Sequence, residues 1–177
     1  MNEATLFRGW DGYFTLLGTA AAGLVGLLFV VVTLTAGHDR AKVTRGQSLY
    51  MTPTMLEFAV VLAVSAMTLA PGIAAPMVAA LLAVAALSGL VNTGWACVGI
   101  WAMRKSPDPP HWTDFWMYGA TPTIVYVALV IVGAFFALAA PWATHALAVV
   151  LLTLLLVGVR NAWDLVTWIA PARDAPP

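Results

Sequence analysis

Apolar residues follow one another along this chain in runs of about twenty or more, broken only by short polar or proline-containing punctuation. Runs of that length match the hydrocarbon thickness of a bilayer at the rise of an α-helix, about 1.5 Å per residue. The pattern predicts five membrane-spanning helices, over 13–36, 53–70, 76–103, 114–140 and 142–170. The first run stops at the polar stretch Gly37-His38-Asp39-Arg40-Ala41-Lys42-Val43-Thr44-Arg45. Pro71-Gly72, followed by Pro76, predicts a tight turn between the second and third runs. Arg104-Lys105-Ser106-Pro107-Asp108-Pro109-Pro110 closes the third, since consecutive prolines cannot continue a helix. Pro141-Trp142 separates the last two. The connections are too short for a soluble domain, so the chain is expected to be a single, all-α, polytopic transmembrane domain over 1–177 with the lipid bilayer as its surroundings.

Composition agrees with the pattern. Hydrophobic residues make up 62% of the chain and charged residues 9%, against about 25% charged in ordinary soluble domains, so a water-facing surface cannot be covered. Formal net charge is zero, which leaves no basic footprint for nucleic acid. The first run is too long for the apolar core of a signal peptide, about 7–15 residues, and is expected to be retained. Cys97 has no second cysteine to pair with.

Lysine and arginine set the expected orientation, because cytoplasmic loops carry their excess. With the N-terminus outside, the inner side holds Arg40, Lys42, Arg45, Arg104, Lys105 and Arg173, and the outer side only Arg8. This places the C-terminus in the cytoplasm. Trp10, Tyr13 and Trp142 then fall at the outer boundary, with Tyr50, Trp101, Trp112, Trp116 and Trp168 at the inner one, as amphipathic rings do.

Against this apolar background, an arginine and an aspartate one helical turn apart stand out in the last run. Arg160 and Asp164 are joined there by Asn161. An ionised side chain at a helix centre costs about 2.5–3.5 kcal/mol on insertion scales, so such groups need partners, water or a function. Residues four apart share a helix face and can pair. Glu57 lies at similar depth in the second run and has two readings. It can supply a second carboxylate to Arg160, or it can close a capping box with Thr54 at the start of its helix.

Further polar candidates are Asn92 in the third run and Thr121, Thr123 and Tyr126 around Pro122 in the fourth, where proline frees a carbonyl that hydroxyls or water must satisfy. These are expected either to hold helices together or to border a pathway. Gly18, Ala22 and Gly26 recur at four-residue spacing in the first run, a register that lets another helix approach closely, within a subunit or between subunits. His38, His111 and His145 are scattered, without the spacing of a zinc or haem site, and no nucleophile elbow or phosphate-binding loop occurs. No metal, cofactor or catalytic residue is therefore expected, and an enzyme is the least supported class.

Two segments, Gly18-Thr19-Ala20-Ala21-Ala22-Gly23-Leu24-Val25-Gly26-Leu27-Leu28-Phe29-Val30 and Asn161-Ala162-Trp163, resemble those of a group of small, mostly uncharacterised bacterial integral membrane proteins. So do the acid early in the second run, Glu57, and the proline at its end, Pro71. The resemblance implies a bacterial inner-membrane protein and supplies no chemistry. From the residues themselves, the first expectation is a homo-oligomer forming or flanking a permeation path for a small ion or solute, with Glu57, Arg160 and Asp164 at its cytoplasmic mouth. The alternative is a noncatalytic accessory subunit of a larger membrane complex.

Overall fold

The computed structural model describes residues 6–35, 51–105 and 111–169. Arg40, Lys42, Arg45, Arg173, Tyr50 and His38 lie outside them. Every regular element among the described residues is helical: α1 (Asp11–Thr35), α2 (Thr52–Thr68), α3 (Ala75–Ala102), α4 (Trp112–Ala137) and α5 (Ala143–Ile169). Four of these are long and apolar enough to cross a membrane, and α2, with 17 residues, is shorter. The chain is thus a helical membrane protein by length and composition.

Proline begins two of the helices. Pro53 and Pro76 sit in the first turns of α2 and α3, where the missing N–H is no loss and the fixed φ is already helical. Pro122 lies inside α4, where its regular winding resumes after a wider turn. The α2–α3 turn uses Gly72 at φ +67°, a left-handed conformation that suits glycine. At the end of α4, Ala139 adopts φ 53°, and the Ala140 amide reaches back to the Phe135 carbonyl at 2.9 Å while the Ala139 amide bonds that of Phe136 at 3.1 Å. That pair of bonds is a Schellman ending, here made by a residue with a side chain.

α1 packs along α2, α3 along α4, and α2 also touches α3 and α5. α5 lies against α1, α2 and α4, which joins the two pairs into one bundle. Its core is a continuous apolar cluster that includes Phe14, Phe58, Val61, Leu82, Leu129, Phe136, Leu147 and Leu151. The outside is apolar too. Leu27, Phe29, Val84, Leu87, Val91, Ile124 and Val149 are all exposed. An apolar exterior of this extent is what a lipid-facing surface requires and a water-facing one excludes.

Glycine controls the closest helix approaches. At Gly89 a Cβ would overlap the Tyr126 ring, and at Gly119 it would overlap the Cys97 sulfur, so α3 and α4 meet where a side chain is missing on one of them. The small residues of α1 behave differently. Gly18 packs against Ser65 of α2, where a Cβ would come within 3.1 Å of the Ser65 Cβ, whereas Ala22 is exposed and Gly26 faces open space. Of the three, only Gly18 serves packing within the subunit.

The ends of the chain that begin α1 and α5 are tied together. Thr144 donates to the Leu6 carbonyl at 2.8 Å, Tyr13 donates to that of Ala148 at 2.9 Å, and the Trp10 and His145 rings meet edge to face at 4.9 Å. These bonds fix the rotation of α5 about its axis, and so decide which side chains farther along it turn inward.

Candidate functional site

Successive residues of an α-helix are turned by about 100°, so the polar group on α5 cannot all face one way. Asn161 is buried, with 0% exposure, while its neighbours Arg160 and Asp164 are exposed. Asn161 reaches inward and sideways: its Nδ2 donates to the Met117 carbonyl of α4 at 3.1 Å, and its Oδ1 accepts from Arg160 Nη1 at 3.4 Å. Tyr118 of α4 completes the junction. Its hydroxyl lies 3.1 Å from the Asn161 carbonyl and 3.2 Å from Asp164 Oδ2, sharing one hydrogen between two acceptors. Arg160 and Asp164 therefore have separate partners, both belonging to the Asn161–Tyr118 junction.

A π-helical segment, Phe115–Ala120, puts Tyr118 in position. Within it the Thr121 amide bonds the Trp116 carbonyl, one residue farther back than an α-helix would allow. Such wide turns often accompany functional sites. Pro122, directly after it, cannot donate a backbone bond. The Thr123 hydroxyl lies 2.8 Å from the Gly119 carbonyl and 3.0 Å from Thr93 Oγ1, and Thr93 in turn donates to the Gly89 carbonyl at 3.0 Å. Thr123 thus links α4 to α3, while Thr121 is half-buried.

On the inner side of this junction lies Glu57, whose exposure is 0%. Its carboxyl fits a notch in α5 made by Gly158, where a Cβ would come within 3.1 Å of Glu57 Oε2 and 2.7 Å of Phe58 Cε1. Asn161, one turn farther along, is the side chain beside the carboxyl. Neither Glu57 oxygen has a hydrogen-bond partner among the described residues.

Both sequence expectations for Glu57 change accordingly. It does not bind Arg160, which occupies a different face of α5 and interacts with Asn161 instead. Nor does it cap its helix: α2 begins at Thr52 behind the cap residue Met51, with Pro53 in the first turn, so Glu57 is already past the end and turned into the bundle.

Tyr126 is buried at 1% exposure against Gly89, and its hydroxyl also has no hydrogen-bond partner among the described residues. It lies within electrostatic reach of Glu57. Asn92 is half-buried on α3, one turn from Gly89, with its Oδ1 enclosed and without a hydrogen-bond partner among the described residues. The structure thus buries Glu57, Asn161 and Tyr126 inside the bundle with Asn161 beside the Glu57 carboxyl, puts Arg160 and Asp164 on its outside, and places Thr123 and Thr93 at a separate α3–α4 contact.

Tyr118 and Gly158 are the site residues that sequence reasoning missed. Gly158 stands three positions before Asn161 in the same run, and a glycine one turn from an intramembrane amide is a sign of close approach. Nothing comparable marks Tyr118, because its direction depends on the π-helical turn.

At the same end of the bundle, Arg104 stacks over the Trp101 ring at 4.9 Å, and a cavity of about 220 Å³ is lined chiefly by Trp101, Trp112, Phe115 and Trp116. No cluster of His, Cys, Asp and Glu suited to a metal ion occurs among the described residues. Comparison with protein families, with curated proteins and with solved structures yields no match.

Proposed function

We propose that this protein is a homo-oligomer of the bacterial inner membrane that forms or flanks a permeation path for a small ion or solute. In this reading five helices cross the bilayer, with the N-terminus outside and the C-terminus in the cytoplasm, the orientation that the lysine and arginine distribution favours.

One observation carries the proposal. Thr153, Arg160, Asp164 and Thr167 recur at helical spacing and are all exposed on α5, giving a polar stripe about 21 Å long at 1.5 Å per residue. Facing acyl chains, the arginine alone would cost about 2.5–3.5 kcal/mol. A second copy of the chain, or water held between copies, removes that cost. Charged side chains arranged around such a seam select permeant ions by their sign.

Reconstitution into liposomes tests the reading. Purified protein is expected to pass an inorganic ion or small solute, and Arg160→Leu is expected to alter that flux by tenfold or more, roughly the effect of 1.4 kcal/mol on a barrier. Absence of flux for cations, anions and small neutral solutes at several pH values overturns it.

A second reading, a noncatalytic accessory subunit, draws on Trp163, which is 71% exposed beside Asp164. Large exposed aromatics near charged groups are frequent anchors of protein interfaces. Gentle extraction followed by mass analysis separates the two: a symmetric assembly of this chain supports the first, and a stoichiometric foreign chain supports the second.

A further inference from the structure

The enclosed carboxyl of Glu57 has a chemical requirement that the outer stripe does not meet. An ionised carboxylate needs several hydrogen-bond donors or a nearby cation to remain charged away from water. Glu57 has 0% exposure, and among the described residues neither of its oxygens meets a hydrogen-bond partner at bonding geometry, the Asn161 side chain being the polar group beside it. Nor does a cationic side chain act on it among the described residues.

Each neighbouring helix bears this out. On α5, Arg160 is exposed and donates to Asn161, and Asp164 accepts from Tyr118. On α4, Tyr118 is engaged at that junction and Tyr126 is the titratable group within reach. Asp114 stands at the start of α4, three residues before Met117. On α3, the titratable side chain is Cys97, which packs on Gly119. On α1, Asp11 and Tyr13 belong to the opposite end, where Tyr13 bonds the start of α5. Tyr126 itself is enclosed, with a hydroxyl that lacks a partner among the described residues. An amide is both donor and acceptor, so Asn161 suits a neutral carboxyl group, which donates through its O–H and accepts through its C=O.

We propose that Glu57 is a proton-binding site inside the bundle, formed beside Asn161 in the notch at Gly158. Binding takes one proton from water onto a Glu57 oxygen, and release returns it, leaving the carboxylate; no other group changes. The site belongs to a single subunit and does not depend on the α5 stripe lining a path.

The chain has two glutamates, Glu3 and Glu57, which permits a test that leaves the site untouched. Full-length protein is labelled with glutamate carrying ¹³C in its side-chain carboxyl, reconstituted in liposomes and followed by solid-state NMR as pH is varied. A Glu3→Gln variant isolates the Glu57 signal. At neutral pH the Glu57 carboxyl carbon is expected wholly at the protonated position, with complete and reversible conversion to the carboxylate position as the medium is made alkaline. At fixed pH, sodium or potassium is expected to leave it unmoved. A carboxylate signal at neutral pH overturns the proposal, as does a protonated signal that persists until the protein unfolds. Displacement of the signal by sodium or potassium at fixed pH also overturns it, assigning the pocket to a metal cation.

Discussion

Glu57 and Asp164 are both linked to Asn161: Glu57 lies beside its side chain, and Asp164 shares the Tyr118 hydroxyl with its carbonyl. Glu57 is enclosed, and its oxygens have no hydrogen-bond partner among the described residues; Asp164 is exposed, and it accepts from Tyr118. Both are carboxyl side chains in apolar runs near the same end of the bundle, so distance along the helix does not distinguish them. Rotation about the helix axis does. Glu57 points at a backbone notch and Asp164 points away from the bundle, and the physical demand on each differs as a result. The first must manage without charge compensation from its neighbours. The second keeps a hydrogen bond, and its remaining surface depends on whatever covers α5.

Charge reversal is expected to separate the two acids most sharply. Glu57→Lys inserts a longer, basic side chain into an enclosed space, a class of change that destabilises by about 4 kcal/mol or more. Little folded protein should survive when monodispersity is measured by size-exclusion chromatography. Asp164→Lys, on the exposed face, should leave the folded subunit largely intact. Equal losses for the two would erase the distinction.

The notch supplies the next contrast. Gly158→Val places methyl groups against Phe58 and Glu57, and overpacking of this kind costs about 1–3 kcal/mol. Gly26→Val points into open space and should change stability by less than about 0.5 kcal/mol. Thermal unfolding in a mild detergent compares them directly. The smallest effect belongs to the outer acid's own bond: Tyr118→Phe removes the hydroxyl that Asp164 and the Asn161 carbonyl share, at a cost of about 0.6 kcal/mol, the average for hydrogen bonds in a membrane interior. A loss of several kcal/mol there would mean that Asp164 supports the fold more than its exposure implies.

The helices themselves were largely legible, since apolar run length and proline punctuation are local properties of the chain. The runs 53–70 and 76–103 anticipate α2 (Thr52–Thr68) and α3 (Ala75–Ala102) to within two residues at each end. The i, i+4 spacing of Arg160 and Asp164 suggests a direct pair, whereas the contacts give them separate partners, Asn161 for the first and Tyr118 for the second. Partner choice was not legible. Asn161 rather than Arg160 faces Glu57, a matter of about 100° of rotation that the contacts between the starts of α1 and α5 help to set. The expected capping role of Glu57 fails for a related reason. The chain is already helical at Thr52, ahead of Thr54, so the carboxyl lies on the side of the helix and not at its end. Small residues were equally ambiguous: Gly18 and Gly26 share a register, yet only Gly18 meets a neighbouring helix.

The wide turn at Phe115–Ala120 holds one residue more than the same height of α-helix would need. Because an ordinary turn covers nearly the height and angle of this wide one with one residue fewer, deleting a single residue there should restore ordinary winding while the segments on either side keep their orientation. Trp112 and Trp116 would stay on the wall they share with Trp101, whereas the same deletion within the regular winding after Pro122 would turn one flank against the other by about 100°. The spare residue therefore makes this stretch the place along α4 where the chain can lose length without turning its aromatic rim away from its polar interior.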